Sequence, residues 1–403
     1  MYIVKLFGKY KIISTSPEAA KHFLVTHNRS FTQGHRPMAR VADPEANFTD
    51  PNNHPKVRKL LKTPLGPDNI HQCILVYDTL VCSAISLWKD GQTINARDEM
   101  QRITMKCLLN LLWGQEDRQL EYARVFHLQS VVDQGYRTAF PVNLPFTRYG
   151  KGIKAKGEFM RLMEEKLAHL RASGSPHSNC MNLIIFSDEK DGLTDAQICS
   201  LMHSLIHAGY RTVATLVVRA FKLLSENPQV LATLKKEHDA VSKSMEAGAN
   251  LTWADVKQMR CCFAARYVIQ ETMRLSSSSI SKFLARVALE DVEYNGYVIS
   301  KGWELGMTNE FHKDPKLFPD PYIFNPDRFN SPPKPGTFIL FGAGMHTCAG
   351  IEFANALSAI ISHLVVTKFS FEREGPDGVE FWSHYTAKDG FPMKLKLRAE
   401  DSN

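Results

Sequence analysis

The sequence predicts a mainly α-helical fold with small β-sheets in a single domain. Apolar residues recur at helical spacing through most of the stretch from Pro55 to about Leu275. Strand-like alternation is confined to residues 2 to 14 and 284 to 307, and neither an internal repeat nor a linker-like composition divides the 403 residues. A chain of this length can bury a large core and hold a cofactor inside it.

The N-terminal elements follow from local signals. Residues 2 to 14 alternate between apolar and polar side chains, and we expect a hairpin that turns at Gly8-Lys9. Ser16 followed by Pro17 is typical of a helix start, because serine caps the first turn and proline fits the first helical position.

The longest predicted helix begins at Thr194 and ends at Asn227-Pro228. Its apolar positions recur at helical spacing, and an acidic residue follows the cap in the first turn. The pattern predicts a helix of about 30 residues, longer than a typical globular helix. The polar segment from Arg171 to Cys180 is predicted to be an exposed loop.

The C-terminal third mixes strands, turns and one helix. Asn295-Gly296 is typical of a tight hairpin turn between two strands. A proline-rich stretch from Pro315 to Pro335 follows it. A helix is then predicted from about Ala349 to Leu364.

Charge and hydropathy exclude several functional classes. The net charge of +7 is modest and spread along the chain without a recognised motif, so no nucleic acid partner is expected. The basic run from His54 to Lys62 fits a contact with an acidic partner or an anionic membrane surface, and it also fits a solvated helix face. No apolar window of about 18 residues occurs, so no membrane span is predicted.

The cysteine pattern indicates a reducing compartment. The eight cysteines are scattered without a C-x-x-C pair, which favours neither a disulfide framework nor a structural zinc site. An intracellular location is therefore expected.

One cysteine, Cys348, lies in the glycine-rich segment FGAGMHTCAG, which runs from Phe341 to Gly350. A lone thiolate suits haem iron better than zinc, which takes three or four protein ligands. Glycines let the backbone lie flat against a planar ring, and the helix predicted after Cys348 stabilises a thiolate with its N-terminal dipole. The alternative is that the glycines only make turns and the thiol is inert.

The spacing Phe341, Gly344, Cys348 and Gly350 resembles the haem-binding signature F-x-x-G-x-x-x-C-x-G of the cytochrome P450 family. The resemblance implies haem b with Cys348 as its axial thiolate ligand. It also implies one cytochrome P450 domain over residues 1 to 403. His346, two residues before the cysteine, stands where most family members have an arginine that contacts the cofactor.

Two further motifs occur in the family's order. ETMR contains Glu271 and Arg274, the E-x-x-R pair, and FNPDRF contains Arg328, which completes that charged cluster in the family. Glu271 and Arg274 lie one turn apart on a predicted helix and can pair. The resemblance gives all three a structural role near the haem.

The long helix contains AGYRT, which resembles the family motif A-G-x-(D/E)-T. The resemblance implies that Ala208 and Gly209 make room for oxygen, and that Thr212 passes protons to it. The chain departs from the motif at Arg211, which replaces the acid. Arginine does not give up a proton at any useful pH, so the relay runs through Thr212 and water or is impaired.

The resemblance also implies cations for the haem propionates. His54 and Arg58 match an aromatic or histidine followed four residues later by arginine, and Arg286 matches a second propionate-binding arginine. The alternative for each of these residues is a surface charge.

Nearly the whole chain resembles the plant branch that oxidises terpenoids, steroids and related isoprenoids. The segments SPEAAKHFLVTH (16–27) and PVNLPFTRYGKGIKAK (141–156), together with His346, resemble most of all the abscisic acid 8'-hydroxylases. Members normally begin with a membrane anchor and a hinge and reside in the endoplasmic reticulum membrane, whereas this sequence shows no anchor, so any membrane contact is expected to be peripheral. Residues 35 to 55 and 274 to 286 depart from the family in segments that border its substrate pocket.

The expected function is therefore a haem-thiolate monooxygenase that hydroxylates a small hydrophobic isoprenoid with dioxygen. The implied electron donor is an NADPH–cytochrome P450 reductase, which would meet cations such as Lys334. Two alternatives stay open at this point. One is a haem-thiolate isomerase or dehydratase that uses no dioxygen, and the other is a haem-binding protein with impaired catalysis.

Overall fold

The structure is a computed structural model, and it describes most of the chain. The described residues are 1–6, 9–33, 53–114, 119–136, 138, 141–173, 179–187, 192–246, 248–259, 266–276, 284–376 and 389–398. Residues 35–52 and 277–283, which belong to the two segments that depart from the family at 35–55 and 274–286, lie outside the described residues, and so do residues 174–178 of the predicted loop.

The described chain forms two compact units. The first contains Met1–Gly34, Ile70–Ile103 and Thr212–Asn403, and the second contains His35–Asn69 and Thr104–Arg211. The single-domain organisation stays a prediction.

Helices dominate the described residues, as the sequence predicted. In chain order they are α1 (Pro17–Lys21), α2 (Asn53–Lys62), α3 (Pro67–Gln72), α4 (Ile74–Ile85), α5 (Ala96–Trp113), α6 (Gln119–Tyr136), α7 (Arg148–Ser173), α8 (Cys180–Ile185), α9 (Asp195–Glu226), α10 (Pro228–Ser244), α11 (Trp253–Gln258), α12 (Arg266–Leu275) and α13 (Ile351–Lys368). None of these helices is both long enough and apolar enough to cross a membrane.

Helix α9 confirms the predicted long helix and has a well-defined start. The Thr194 hydroxyl accepts a hydrogen bond from the Gln197 amide at 3.2 Å, and the Gln197 side chain accepts one from the Thr194 amide at 3.0 Å. This reciprocal pair satisfies two backbone donors that a helix N-terminus leaves open. The helix ends at Glu226, and Asn227 and Pro228 then begin α10.

A five-stranded sheet contains the predicted N-terminal hairpin. Its strands are β1 (Tyr2–Leu6), β2 (Lys9–Ser14), β3 (Phe31–Gln33), β5 (Leu284–Ala288) and β8 (Glu304–Met307), in the order β1-β2-β8-β5-β3. All neighbours are antiparallel except β2 and β8, which pair in parallel from Lys11 opposite Glu304. Phe23, Phe31 and Leu305 lie in the buried core on this sheet.

Two smaller sheets complete the described strands. β6 (Val292–Tyr294) and β7 (Tyr297–Ile299) form the predicted hairpin, and both of its turn residues have positive φ, 51° at Asn295 and 76° at Gly296. Such φ values suit asparagine and glycine. The sheet β4-β10-β9, formed by β4 (Thr93–Asn95), β9 (Phe369–Arg373) and β10 (Pro392–Leu397), was not predicted.

Helix α13 is the most deeply buried helix of the C-terminal third. Residues on all its faces are buried, from Phe353 to Val366, and it packs against α4 and α10. The prediction placed it between Ala349 and Leu364, about two residues early at its start and four short at its end. A helix that is apolar all round offers no polar face to mark its ends.

Candidate functional site

The segment from Phe341 to Gly350 is a tight turn that presents Cys348. Gly342 and Gly344 have positive φ, 80° and 68°, which side-chain-bearing residues rarely adopt. The Cys348 amide donates a hydrogen bond to the Phe341 carbonyl at 2.7 Å. This hydrogen bond closes the turn from Phe341 to Cys348, three residues before α13 begins at Ile351.

Gly344 and Gly350 in this segment differ in how closely other atoms pack against them. A Cβ on Gly344 would lie 1.8 Å from the Leu24 carbonyl oxygen, in the π-helical turn His22–Thr26. A Cβ on Gly350 would meet no described atom within 4 Å. Packing therefore requires Gly344, whereas the space beside Gly350 is open.

Cys348 is the one exposed cysteine among the described residues. It lies three residues before the N-terminus of α13, whose dipole favours a thiolate. Within the described residues no three His, Cys, Asp or Glu side chains form a metal-binding group. A single soft thiolate suits haem iron better than zinc, so the exposed Cys348 fits this cofactor.

Glu271, Arg274 and Arg328 meet in one buried ion cluster, as the motifs predicted. Arg274 donates to both carboxylate oxygens of Glu271, from Nε at 2.7 Å and from Nη2 at 2.8 Å. Arg328 Nε donates to Glu271 Oε1 at 3.0 Å. Glu271 and Arg274 are fully buried, so the cluster is stable only because the donors and acceptors match.

His312 links this ion cluster to the cysteine segment, and sequence reasoning did not identify it. Its carbonyl accepts a hydrogen bond from Arg274 Nη1 at 2.8 Å, and its Nε2 accepts one from the Ile339 amide at 3.3 Å. Burial, with smaller contributions from the Arg274 and Lys313 charges, lowers the pKa of His312 to about 3. The imidazole is therefore neutral, and its Nε2 accepts the hydrogen bond from the Ile339 amide. Ile339 lies two residues before Phe341, where the cysteine segment begins.

The residues predicted to act at the oxygen site lie on α9, and close packing also explains the glycine at position 209. A Cβ on Gly209 would lie 2.8 Å from Leu108 Cδ2, on α5. The glycine therefore permits α5 and α9 to approach closely. The expected roles of Ala208, Gly209 and Thr212 at the oxygen site stay predictions.

Arg211 lies in a charge cluster that sequence reasoning missed. Its Nη1 donates to Oδ2 of Asp133, on α6, at 3.3 Å, and the Tyr210 hydroxyl donates to the same oxygen. His207 Nδ1 lies 2.9 Å from Asp133 Oδ1. No motif marks Asp133, because its partners on α9 lie more than 70 residues further along the chain.

The predicted propionate-binding cations lie in the two separate units. His54 and Arg58 lie one turn apart on α2, with His54 buried and Arg58 half-buried. Arg286 lies on β5, is buried, and donates from Nη1 to the Ala285 carbonyl at 2.9 Å. His346 is half-buried in the cysteine segment. Their contacts with a propionate stay predictions.

Comparison with known proteins gives consistent matches. A family model described as Cytochrome P450 matches residues 1–385. The chain is 34% identical to abscisic acid 8'-hydroxylase 1 of Arabidopsis thaliana, over 96% of this chain and 82% of that protein. It is 30% identical to abscisic acid 8'-hydroxylase CYP707A1 of Solanum lycopersicum, over 94% of this chain and 80% of that protein.

Solved structures match the fold over nearly the whole chain. A retinoic acid-bound cyanobacterial CYP120A1 has a TM-score of 0.87 and 20% identity, with 98% of this chain and 91% of that chain covered. The cytochrome P450DA heme domain has a TM-score of 0.85 and 19% identity, with 99% and 90% covered.

Proposed function

The chain belongs to the cytochrome P450 family of monooxygenases, and we propose that it hydroxylates an isoprenoid-type small molecule similar to abscisic acid. The observation that carries the substrate class is the 34% identity to an abscisic acid 8'-hydroxylase over 96% of this chain. The family implies a small-molecule substrate, a redox partner and a haem with a cysteine thiolate ligand.

The site residues have distinct parts in this proposal. Cys348 would hold the haem iron through its thiolate, because it is the exposed cysteine of the described residues and lies three residues before the start of α13. Phe341 and Gly344 hold the turn that presents it. The bound haem supplies the dioxygen chemistry, and the thiolate donates electron density to its iron.

The remaining residues hold the cofactor, the substrate and the protons. Arg58, Arg286, His54 and His346 are the proposed partners of the haem propionates, because guanidinium and imidazolium groups pair well with carboxylates. Glu271, Arg274 and Arg328 hold the chain segments that lead to the cysteine turn. On α9, Thr212 carries the hydroxyl through which protons pass, and Ala208 and Gly209 border the oxygen site.

We expect electrons to arrive from an NADPH–cytochrome P450 reductase. Basic residues on α2, including Lys56 and Lys59, are suited to an acidic partner surface. A reductase titration at two ionic strengths tests this, since a charge-steered encounter weakens as salt rises.

The ligand assignment is tested with Cys348→Ser. We expect the variant to lose the carbon-monoxide band that is characteristic of reduced thiolate-ligated haem. Cys73→Ser, at a half-buried cysteine of the same unit, is the control and retains the band. A thiolate band in Cys348→Ser would contradict the assignment.

The substrate class is tested by difference spectra and turnover with a panel of isoprenoids that includes abscisic acid. A spectral shift followed by a hydroxylated product that depends on reductase and dioxygen supports the proposal. Arg211, in place of the expected acid, motivates two other outcomes. A product formed without electrons would indicate a rearranging enzyme, and a shift without turnover would indicate a haem-binding protein with impaired catalysis.

A further inference from the structure

The carboxylate of Asp133 contacts three residues of α9 that precede Thr212, namely His207, Tyr210 and Arg211. By family resemblance the residue before Thr212 is acidic, but this chain has Arg211 there. We propose that Asp133, on α6, is a positioning residue that supplies the missing negative charge, neutralising Arg211 and fixing the turn of α9 that leads into Thr212. The inference rests on the proposed function, because it concerns the relay of that reaction.

Asp133 is buried, and both of its carboxylate oxygens have polar partners. The Asp133 side chain is 3% exposed, and groups from two helices surround both of its oxygens. Oδ1 accepts from Gln129 Nε2 at 3.0 Å and lies 2.9 Å from His207 Nδ1. Oδ2 accepts from the Tyr210 hydroxyl and from Arg211 Nη1, the latter at 3.3 Å.

The three α9 partners share one helix face. His207, Tyr210 and Arg211 are spaced i, i+3 and i+4, the positions that lie above one another on a helix. They bracket the Ala208-Gly209 pair and end one residue before Thr212. Asp133 therefore contacts the turn of α9 that contains the AGYRT motif.

Electrostatics explain why the carboxylate stays ionised there. Burial would raise the pKa of Asp133, but the hydrogen bond from His207 and the charges of His207 and Arg211 outweigh burial and lower that pKa. Burial and the neighbouring carboxylate raise the pKa of Tyr210, so its hydroxyl remains a donor. Without Asp133 the Arg211 guanidinium, 19% exposed, would be left without its described counter-ion beside Thr212.

The neighbouring histidine on α9, His203, adds no charge to this face of the helix. His203, one turn before His207, is buried, and neither of its ring nitrogens has a hydrogen-bond partner in the described part of the chain. Burial, with smaller contributions from His207 and Lys156, lowers the pKa of His203 to about 3, so it is neutral. Asp133 is the carboxylate that balances this face of α9.

The test uses the haem-loaded protein with Asp133→Asn, Asp133→Glu and the exchanged double variant Asp133→Arg/Arg211→Asp. The matched control is Asp195→Asn, which removes an acid paired with Arg171 at 2.6 Å in the same unit but exposed at the start of α9. Product formed per NADPH consumed is measured for each variant. The hydrogen-bonded Nδ1 proton signal of His207 is recorded by NMR on histidine-labelled protein, independently of turnover.

We expect Asp133→Asn to retain thiolate-ligated haem but to lose product per NADPH by about tenfold, less than the roughly 10²–10⁴-fold cost of removing a proton-transfer group, because Asp133 acts through Arg211. The His207 proton signal should move upfield in Asp133→Asn, because a neutral amide oxygen accepts a weaker hydrogen bond than a carboxylate, and it should return toward its wild-type position in Asp133→Glu. The exchanged double variant, which restores an acid before Thr212, should recover more product per NADPH than either single change, because the pair is coupled.

Two results would overturn the inference. One is Asp133→Asn with the same product yield per NADPH as Asp195→Asn, whatever its stability. The other is a His207 signal that is unchanged by Asp133→Asn. If the wild-type protein turns over no compound of the panel, the proposed function fails, and the His207 signal still decides whether Asp133 holds this turn of α9.

Discussion

Glu271 and Asp133 are both buried carboxylates bound by arginine, but they differ in how completely their partners are buried. Glu271 and Arg274 have no exposed side-chain surface, and Arg328 is 10% exposed. Arg211 is 19% exposed beside Asp133. The Glu271–Arg274 pair is therefore closed to water, whereas the cluster around Asp133 retains some access to water through Arg211 and His207. Closed clusters suit a structural role, and a partly open cluster suits groups that exchange protons.

Removing the charge of Glu271 should produce the largest loss of stability. Glu271→Gln leaves the Arg274 guanidinium buried with an amide in place of its counter-ion, which costs about 3–5 kcal/mol of unfolding free energy. Chemical denaturation of the purified protein measures the loss. Glu226→Gln, at an exposed i,i+4 pair with Lys222, is the control and should change the free energy by less than about 1 kcal/mol. Equal effects of the two substitutions would contradict the distinction between closed and exposed pairs.

The two clusters also differ in how far the sequence predicts them. Glu271 and Arg274 are three residues apart on one helix, so local spacing is enough to predict their pairing. Asp133 and Arg211 lie 78 residues apart on different helices, and only tertiary packing brings them together. The predicted hairpins and α9 were confirmed for the same reason as the E-x-x-R pair, since each is encoded locally. The sheet β4-β10-β9 was missed because Thr93 pairs with Lys394, about 300 residues away.

A buried neutral histidine beside each cluster should make the protein sensitive to acid. The pKa values of His312 and His203 are lowered to about 3, below the usual value of about 6.5. Between these values the unfolded chain binds protons that the folded chain does not, so stability falls as pH falls from about 6.5 toward 3. By pH 5 each of the two histidines has then lowered the free energy of unfolding by about 2 kcal/mol.

Unfolding free energies measured from pH 8 to pH 4 test this expectation. His203→Phe, which keeps an aromatic ring against Phe159, should flatten the decline below about pH 6.5. Asp133 contributes in a different window, because its lowered pKa stabilises the fold above about pH 4 and that contribution is lost only at lower pH. A decline of unchanged slope in His203→Phe would contradict the assignment to this residue.

Removing the charge of Asp133 should destabilise the protein less than removing that of Glu271. Asp133→Asn weakens bonds to Arg211 and His207, but both can turn partly to water, so the expected loss is about 1–3 kcal/mol. Denaturant midpoints measure this loss when the dependence of the unfolding free energy on denaturant concentration is unchanged. A loss as large as that of Glu271→Gln would mean that the second cluster is as closed as the first, and the difference in solvent access would have no energetic consequence.

Gly209 lies between His207 and Arg211, and Gly209→Ala should have the smallest effect on the free energy of unfolding. The sign of this effect should depend on whether Leu108 is present. In the wild-type background Gly209→Ala puts a Cβ 2.8 Å from Leu108 Cδ2, an overpacking cost of about 1–3 kcal/mol, which the better helix propensity of alanine reduces by about 1 kcal/mol. In a Leu108→Ala background the clash is absent, so the same change should stabilise by up to about 1 kcal/mol. This reversal, measured by a double-mutant cycle, would show that close packing against α5 requires the glycine. If Gly209→Ala instead destabilises equally in both backgrounds, the contact with Leu108 does not explain the glycine.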